Sequence, residues 1–361
     1  MIDVVAGARS ERTMESISAA QNAKFIRGPL APVVVAYEDR MCAIPGVEIL
    51  ARSLDRYSPG SELHIYSPLD SIAERLSDLS RLKFIRTTDL IGRGWNAKPA
   101  ILLRALATSE RVLWLDTDVV VTGDICSLID RFERHAFVVG QEFRGTAGAG
   151  GHIRAQAYGL TPSRFLPYPV NSGSIIASPR HRRLLVEWSA LLLDQRYQAA
   201  QSRPVAERPV AFVGDQDALW ALLTSQEFAD VPVDYFRIRS DMIQHCGANG
   251  YHVLDRLARP SGNGPSFVHM LGRYKPWSFE DIPSVRRNPT DYLNMVCFEL
   301  SPFFEAAQPF ARELGRPGWL YRRTLPARIL NLIFGGNVAL RGLPLAMVSW
   351  AAASLGRRPE R

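Results

Sequence analysis

Val112-Leu113-Trp114-Leu115-Asp116-Thr117-Asp118 is the stretch on which the fold turns. Four apolar residues read as a short buried strand. Two carboxylates one residue apart stand at its carboxyl end, which is the edge of an open α/β sheet where ligands bind. In an extended segment, side chains two positions apart point the same way, so Asp116 and Asp118 repel unless a cation lies between them. Hard carboxylate oxygens suit Mn2+ or Mg2+. Such a triplet is common on exposed loops, and the apolar strand before it gives it weight.

Upstream, strand and helix patterns alternate at the spacing that a parallel sheet requires. Pro32 to Tyr37 is a β-branched run of the kind buried on both faces, and Val47 to Tyr57 has helical apolar spacing. Glu62 to Tyr66 alternates as a strand, Ile72 to Leu82 reads as a helix and Lys83 to Arg86 as a strand. Ala97 to Ala107 reads as a helix and Arg111 to Leu115 as the strand above. The fold class expected is α/β, a mixed and mainly parallel sheet flanked by helices, with a helical basic C-terminal tail. Gly145 to Gly151 breaks the rhythm. It lacks the Gly-Lys-Ser/Thr end of a P-loop, and Ile153 stands where G-x-G-x-x-G needs its third glycine, so it reads as a surface loop of the kind that closes over sites. Ile329 to Leu355 is apolar but interrupted by Asn331, Gly335, Gly336, Asn337, Arg341 and Pro344. That suits an interfacial amphipathic segment, or a helix packed on the body, better than a membrane span.

The chain has 361 residues, 47% hydrophobic and 22% charged, which excludes disorder as a whole. Its formal charge of +7 suggests an anionic partner, but residues 312–361 hold nine arginines against Glu313 and Glu360, so the remainder sums to zero. A nucleic-acid-binding face on the body loses its first argument. Cys42, Cys126, Cys246 and Cys297 form no C-x-x-C pair, which argues against a zinc knuckle or disulfide framework. No signal-peptide pattern opens the sequence, and a cytoplasmic setting is expected. Lysine is confined to Lys24, Lys83, Lys98 and Lys275 in an arginine-rich chain.

Two enzyme classes fit the D-x-D. Haloacid-dehalogenase-like phosphatases carry D-x-D-x-Thr/Val after an apolar strand, with the first aspartate, here Asp116, as nucleophile; Val120 satisfies the last position. In that class the motif normally opens the domain, whereas here about a hundred residues precede it. Leu219 also stands where a later acid is needed. Three downstream segments favour the other class: Asn171-Ser172-Gly173-Ser174-Ile175-Ile176, Gly214-Asp215-Gln216-Asp217-Ala218-Leu219-Trp220, and His269-Met270-Leu271-Gly272-Arg273-Tyr274-Lys275-Pro276-Trp277. With the D-x-D, their order and content resemble the GT-A nucleotide-sugar glycosyltransferases, in particular the retaining glycogenin-like and lipopolysaccharide galactosyltransferase-like group, family eight. The resemblance spans about residues 32–280 through the N-x-G, D-Q-D and H-x-x-G-x-x-K-P-W motifs.

The resemblance implies a role for each matching residue. Asp116, Asp118 and His269 would hold Mn2+ or Mg2+, while the other six histidines read as structural. Gly272 would let backbone approach the diphosphate and Lys275 would place a charge on it. Lys98 would contact the nucleotide or brace the first aspartate, and Thr117 belongs to the same donor site. At the end of the first strand, Ala36 would admit the ribose or base, Tyr37 would stack, and Glu38 would accept from a uracil N–H. Asn171, Ser172 and Asp215 would surround the donor sugar, with Gln216 beside the anomeric carbon; Asp215 and Gln216 are the catalytic candidates. Serine replaces the commoner alanine of N-A-G, and Trp220 replaces the usual asparagine of D-Q-D-x-L-N on the acceptor side.

The chain is therefore expected to have an N-terminal extension (1–31), a GT-A catalytic domain (32–290) and a helical, basic and apolar tail (291–361). The expected activity is metal-dependent, retaining transfer of a hexosyl group from a nucleotide-sugar, a UDP-sugar by family habit, to a glycan or lipid-linked acceptor. Bacterial relatives build surface polysaccharides. The tail, from residue 312, would meet an anionic membrane on the inner face of the plasma membrane. The phosphatase and a catalytically idle nucleotide-sugar-binding module are the alternatives.

Overall fold

The structure is a computed structural model that describes residues 33–90, 92–142, 148–245, 264–272, 275–278 and 288–334, with positions 253, 340, 342–344, 346, 347 and 351. The 1–31 extension, residues 145–147 of the glycine-rich stretch and most of the chain after 334 lie outside the described residues.

In chain order the elements are β1 (Val33–Tyr37), α1 (Ile44–Tyr57), β2 (Glu62–Ser67), α2 (Asp70–Arg75), β3 (Leu82–Arg86), α3 (Lys98–Ala105), β4 (Val112–Leu115), β5 (Val119–Val121), α4 (Ile125–Asp130), β6 (Phe137–Gln141) and α5 (Gly150–Ala157). They continue with β7 (Val170–Ala177), α6 (Arg182–Leu192), α7 (Gln195–Gln201), α8 (Asp215–Leu223), β8 (Val233–Phe236), β9 (Met242–His245), β10 (Phe267–Met270), α9 (Pro289–Glu299), α10 (Pro302–Ala307) and α11 (Leu325–Phe334). The α/β class expected from the sequence is present.

Seven strands form one sheet in the order β3-β2-β1-β4-β7-β6-β8, and all but β7 run parallel. The chain leaves β1 outward to β2 and β3, then returns to β4 on β1's other side. The switch point of the sheet thus lies between the carboxyl ends of β1 and β4, the crevice where ligands bind in such sheets. A smaller sheet, β5-β10-β9, stands beside it.

The continuous apolar runs of β1 and β4 are explained by cover on both faces. Val35 and Trp114 point into one cluster with α3, α6 and α8, while Val34, Leu113 and Leu115 point into another with α1 and α4. A third cluster joins Val120, Val268 and Met270 of the small sheet to Trp277, Phe298, Phe303, Phe304, Phe310, Trp319 and Leu320. Residues 289–320 therefore pack as part of the same body as the sheets, past the 290 boundary and into the expected tail.

Two local expectations change. The helix read over 72–82 is the single short α2, because Ser77, Asp78 and Ser80 turn the chain, and Asp78 pairs with Arg52 of α1. Gly150 and Gly151, read as part of the loop, instead open α5. A Cβ at Gly150 would lie 2.9 Å from the Trp220 ring, and one at Gly151 2.4 Å from Thr224, so glycine here seats α5 against α8.

Candidate active site

The D-x-D is not extended. Val119 N–H donates to the Asp116 carbonyl (3.2 Å), so Asp116 to Val119 is a tight turn that carries the chain from β4 in the large sheet to β5 in the small one. The two carboxylates converge through this turn and not through strand alternation. The turn also explains how a residue 150 positions away reaches them. β10 pairs antiparallel with β5, with His269 opposite Val119, and Met270 N–H donates to the Asp118 carbonyl at 3.0 Å. His269 Nε2 lies 3.2 Å from Asp118 Oδ1 and 3.9 Å from Asp116 Oδ2.

Asn171-Ser172-Gly173 arrives by the antiparallel pairing of β4 with β7, which continues as Asp116 N–H to the Gly173 carbonyl (2.9 Å). Gly173 is there for space, since a Cβ would lie 2.1 Å from His269 Cε1. Gly46 plays the same part from α1, where a Cβ would meet the Thr117 carbonyl at 2.5 Å and the Trp277 ring at 2.7 Å.

Each carboxylate of the D-x-D has a lysine. Lys98, buried at 4% exposure, contacts Asp116 Oδ1 (3.1 Å), Asp215 Oδ2 (3.2 Å), Ser172 Oγ (3.0 Å) and the Ser172 carbonyl (3.3 Å). Burial works against its charge, but the carboxylates of Asp116 and Asp215 outweigh that and raise its pKa. Lys98 therefore braces the first aspartate, and its donors are committed within the protein. Burial pushes Asp215 up, against the pull of Lys98 and of Ser172 Oγ, which donates to it at 2.7 Å. Lys275 contacts Asp118 Oδ2 and the Met270 carbonyl (2.6 Å). Burial alone would raise Asp118, yet Lys275 and His269 hold its carboxyl well below the usual range. Gly272 has φ +95°, a left-handed conformation that favours glycine.

Asp116, Asp118 and His269 each offer a ligand atom within 4.8 Å of the others. His269 Nδ1 is buried and makes no hydrogen bond among the described residues, and Asp118 Oδ1, also buried, has His269 Nε2 at 3.2 Å as its neighbour. Two carboxylates and an imidazole converging in this way form a group that can hold a divalent cation.

On the β7 and α8 side of the site, Asn171 Nδ2 donates to Gln216 Oε1 (3.3 Å), while its Oδ1 accepts from Gly173 N–H (2.9 Å). Ala36 is fully buried at the end of β1. The Tyr37 ring belongs to the core cluster and its hydroxyl donates to Asp39 (3.3 Å), so it braces Asp39 instead of offering an open stacking face. Glu38 is buried and accepts five hydrogen bonds: from Asp39 N–H, from Arg40 N–H, Nε and Nη2, and from Thr117 Oγ1 at 2.7 Å. A carboxylate has about four lone-pair sites, so none remains for a base N–H. Thr117 is thereby tied to the end of β1.

Four residues of this site have a part that the sequence alone did not assign to them. Trp114 Nε1 donates to Asp116 Oδ1 (2.7 Å), two positions along the same strand face; the alternation of β4 carried that signal. Glu142 Oε2 accepts from Asn171 Nδ2 (2.8 Å) at the end of β6. Gly173 depends on a contact between distant segments, which leaves no local pattern, whereas Arg40 meets an acid only two positions away.

No protein-family model and no curated protein matches the chain. Among solved structures it is similar to the WbbM bifunctional glycosyltransferase in its apo form, at 14% identity and a TM-score of 0.48 over 80% of this chain and 52% of that one. It thus spans about half the length of that protein. It is also similar to the galactosyltransferase LgtC in complex with donor and acceptor sugar analogues (17% identity, TM-score 0.46, 77% of this chain and 95% of that one). A third similar structure is the apo form of mouse xyloside xylosyltransferase 1 (16% identity, TM-score 0.39, 66% of this chain and 97% of that one).

Proposed function

We propose that the chain is a metal-dependent, retaining GT-A glycosyltransferase, moving a hexosyl group from a nucleotide-sugar, a UDP-sugar, to a glycan or lipid-linked acceptor at the cytoplasmic face of a membrane. The observation that carries this reading is the Asp116–Asp118–His269 group at the sheet's switch point, joined through Lys98 to Asp215 and flanked by Lys275.

Asp116, Asp118 and His269 would hold Mn2+ or Mg2+. The cation would offset the charge that builds on a departing diphosphate. The protein's own part is positioning. Lys98 and Trp114 fix the Asp116 carboxylate, Thr117 locks the turn to β1, and Lys275 is a mobile-length ammonium able to turn from Asp118 to a phosphate oxygen. Asp215, Asn171, Ser172 and Glu142 would grip sugar hydroxyls and place the anomeric carbon beside Gln216, with Ala36 and Gly272 giving the nucleotide room.

The phosphatase alternative needs Asp116 as a free nucleophile. Here its Oδ1 accepts from Trp114 and both oxygens face the Lys98 ammonium, and its strand is the fourth of the chain.

Asp116→Ala and Asp118→Ala should each lower donor turnover by roughly a hundredfold or more. Incubation with a set of nucleotide-sugars, Mn2+ and candidate acceptors, read as nucleotide release, measures it. Full activity of either variant, or of the wild type in excess chelator, removes the metal-dependent reading. Phosphate release from small esters without a nucleotide-sugar would restore the phosphatase, and nucleotide-sugar binding without turnover on any acceptor would indicate the idle module.

A further inference from the structure

One residue, Arg40, supplies three of the five hydrogen bonds on Glu38. Arg40 grips Glu38 through its backbone N–H (3.0 Å), Nε (2.7 Å) and Nη2 (2.9 Å). Its side chain is 57% exposed while that of Glu38 is 1% exposed, so the buried carboxylate holds an outward-facing guanidinium in one orientation. Nη1 has no partner among the described residues. Bonding to Glu38 raises the Arg40 pKa, with smaller contributions from Asp118, which places it in the field of that carboxylate, and from Asp39.

The position matters as much as the grip. Arg40 follows the carboxyl end of β1, and the Asp116–Asp118 turn follows the carboxyl end of the adjacent β4, so the two flank the switch point. Thr117 Oγ1 bonds the same Glu38 carboxylate, which ties the two loops into one rigid wall.

We infer that Arg40 is the nucleoside-reading residue of this site: its free Nη1 donates to an acceptor oxygen on the base or ribose of the donor, and Glu38 is its brace and not a base contact. The charge balance selects the nucleoside over the diphosphate. Glu38 neutralises Arg40, leaving a directional donor with little net charge, whereas Lys275 and the metal-site group are arranged to meet the diphosphate. This inference rests on the nucleotide-sugar reading of the site.

The test is calorimetric titration of the full chain with UDP and with UMP, each with and without Mn2+. Arg40→Ala should weaken UDP and UMP binding by the same factor, roughly tenfold, in a protein that stays folded at a lowered melting temperature, since the buried Glu38 loses its cation but keeps Thr117 and two backbone N–H groups. Should Arg40→Ala fail to fold, Arg40→Lys, which keeps the charge against Glu38 and gives up the planar fork, reads the same ratio. Wild-type affinity for UDP in these variants overturns the inference, and so does a loss on UDP that is absent on UMP, because the contact would then be to the diphosphate. A wild-type protein that binds no nucleotide overturns the donor reading itself and this inference with it.

Discussion

At the residue scale the site is governed by close approaches as much as by charges. Gly173 shows this most sharply, because the space a side chain would need is filled by the His269 ring. Gly173→Ala should displace the imidazole from Asp116 and Asp118 and weaken Mn2+ binding at least about tenfold, as measured by titration followed by electron paramagnetic resonance. The overall fold should persist, since β7 keeps its pairing with β4 and β6. The acids, the histidine and the lysine of this site were legible because their types and order form motifs. Gly173 was visible only as part of an N-x-G pattern, and its reason, a ring arriving from β10, depends on sheet pairing. Glu38 carries the opposite lesson. Its chemistry suggested a base acceptor, and only the count of donors around it, three from Arg40, shows that its lone pairs are already taken.

At the scale of elements, the Asp215-Gln216-Asp217 segment is held by the way α5 locks onto α8. Asp217 Oδ2 accepts from Gly214 N–H (2.9 Å), and its Oδ1 from Arg154 Nε of α5 (2.7 Å). The Arg154 guanidinium lies 4.3 Å from the centre of the Trp220 ring, one turn along α8. Burial pushes Asp217 up, against the pull of Arg154. Removing one partner of such a buried pair strands the other charge, at a cost of about 3 kcal/mol. Arg154→Met should therefore lower stability by about that amount in denaturant unfolding, and Arg154→Met with Asp217→Asn should recover part of it. Strand and helix order was readable because β-branched runs and helical spacing are local. The tight turn at Asp116 to Val119, which sends β5 into a second sheet, was not, because nothing local separates it from an extended continuation of β4.

At the scale of the whole molecule the charge asymmetry meets an exposed apolar face. From Leu314 to Pro359 there is no acid and there are seven arginines. Within that stretch α11 packs Ala327 and Leu330 against Val296 and Leu300 of the body, and leaves Leu325, Ile329, Leu332 and Ile333 exposed at 65%, 46%, 84% and 64%. Their spacing puts them on one face. No helix among the described residues is long and apolar enough to cross a membrane. An outward apolar stripe amid arginines suits the plane of an anionic bilayer, where leucine and isoleucine enter the interface and arginine meets the headgroups. Because Trp319 and Leu320 are core residues, cutting the chain at 312 would damage the body. Substitution is the sharper test. Leu325→Ser, Ile329→Ser and Leu332→Ser together remove apolar surface that touches solvent, so nucleotide binding should be retained and unfolding should shift little. Sedimentation with phosphatidylserine-containing vesicles should fall at least about tenfold, and phosphatidylcholine vesicles should bind neither form well. Equal sedimentation of both forms would place the membrane contact elsewhere, and recovery of neither form with anionic vesicles would leave the stripe to a protein surface.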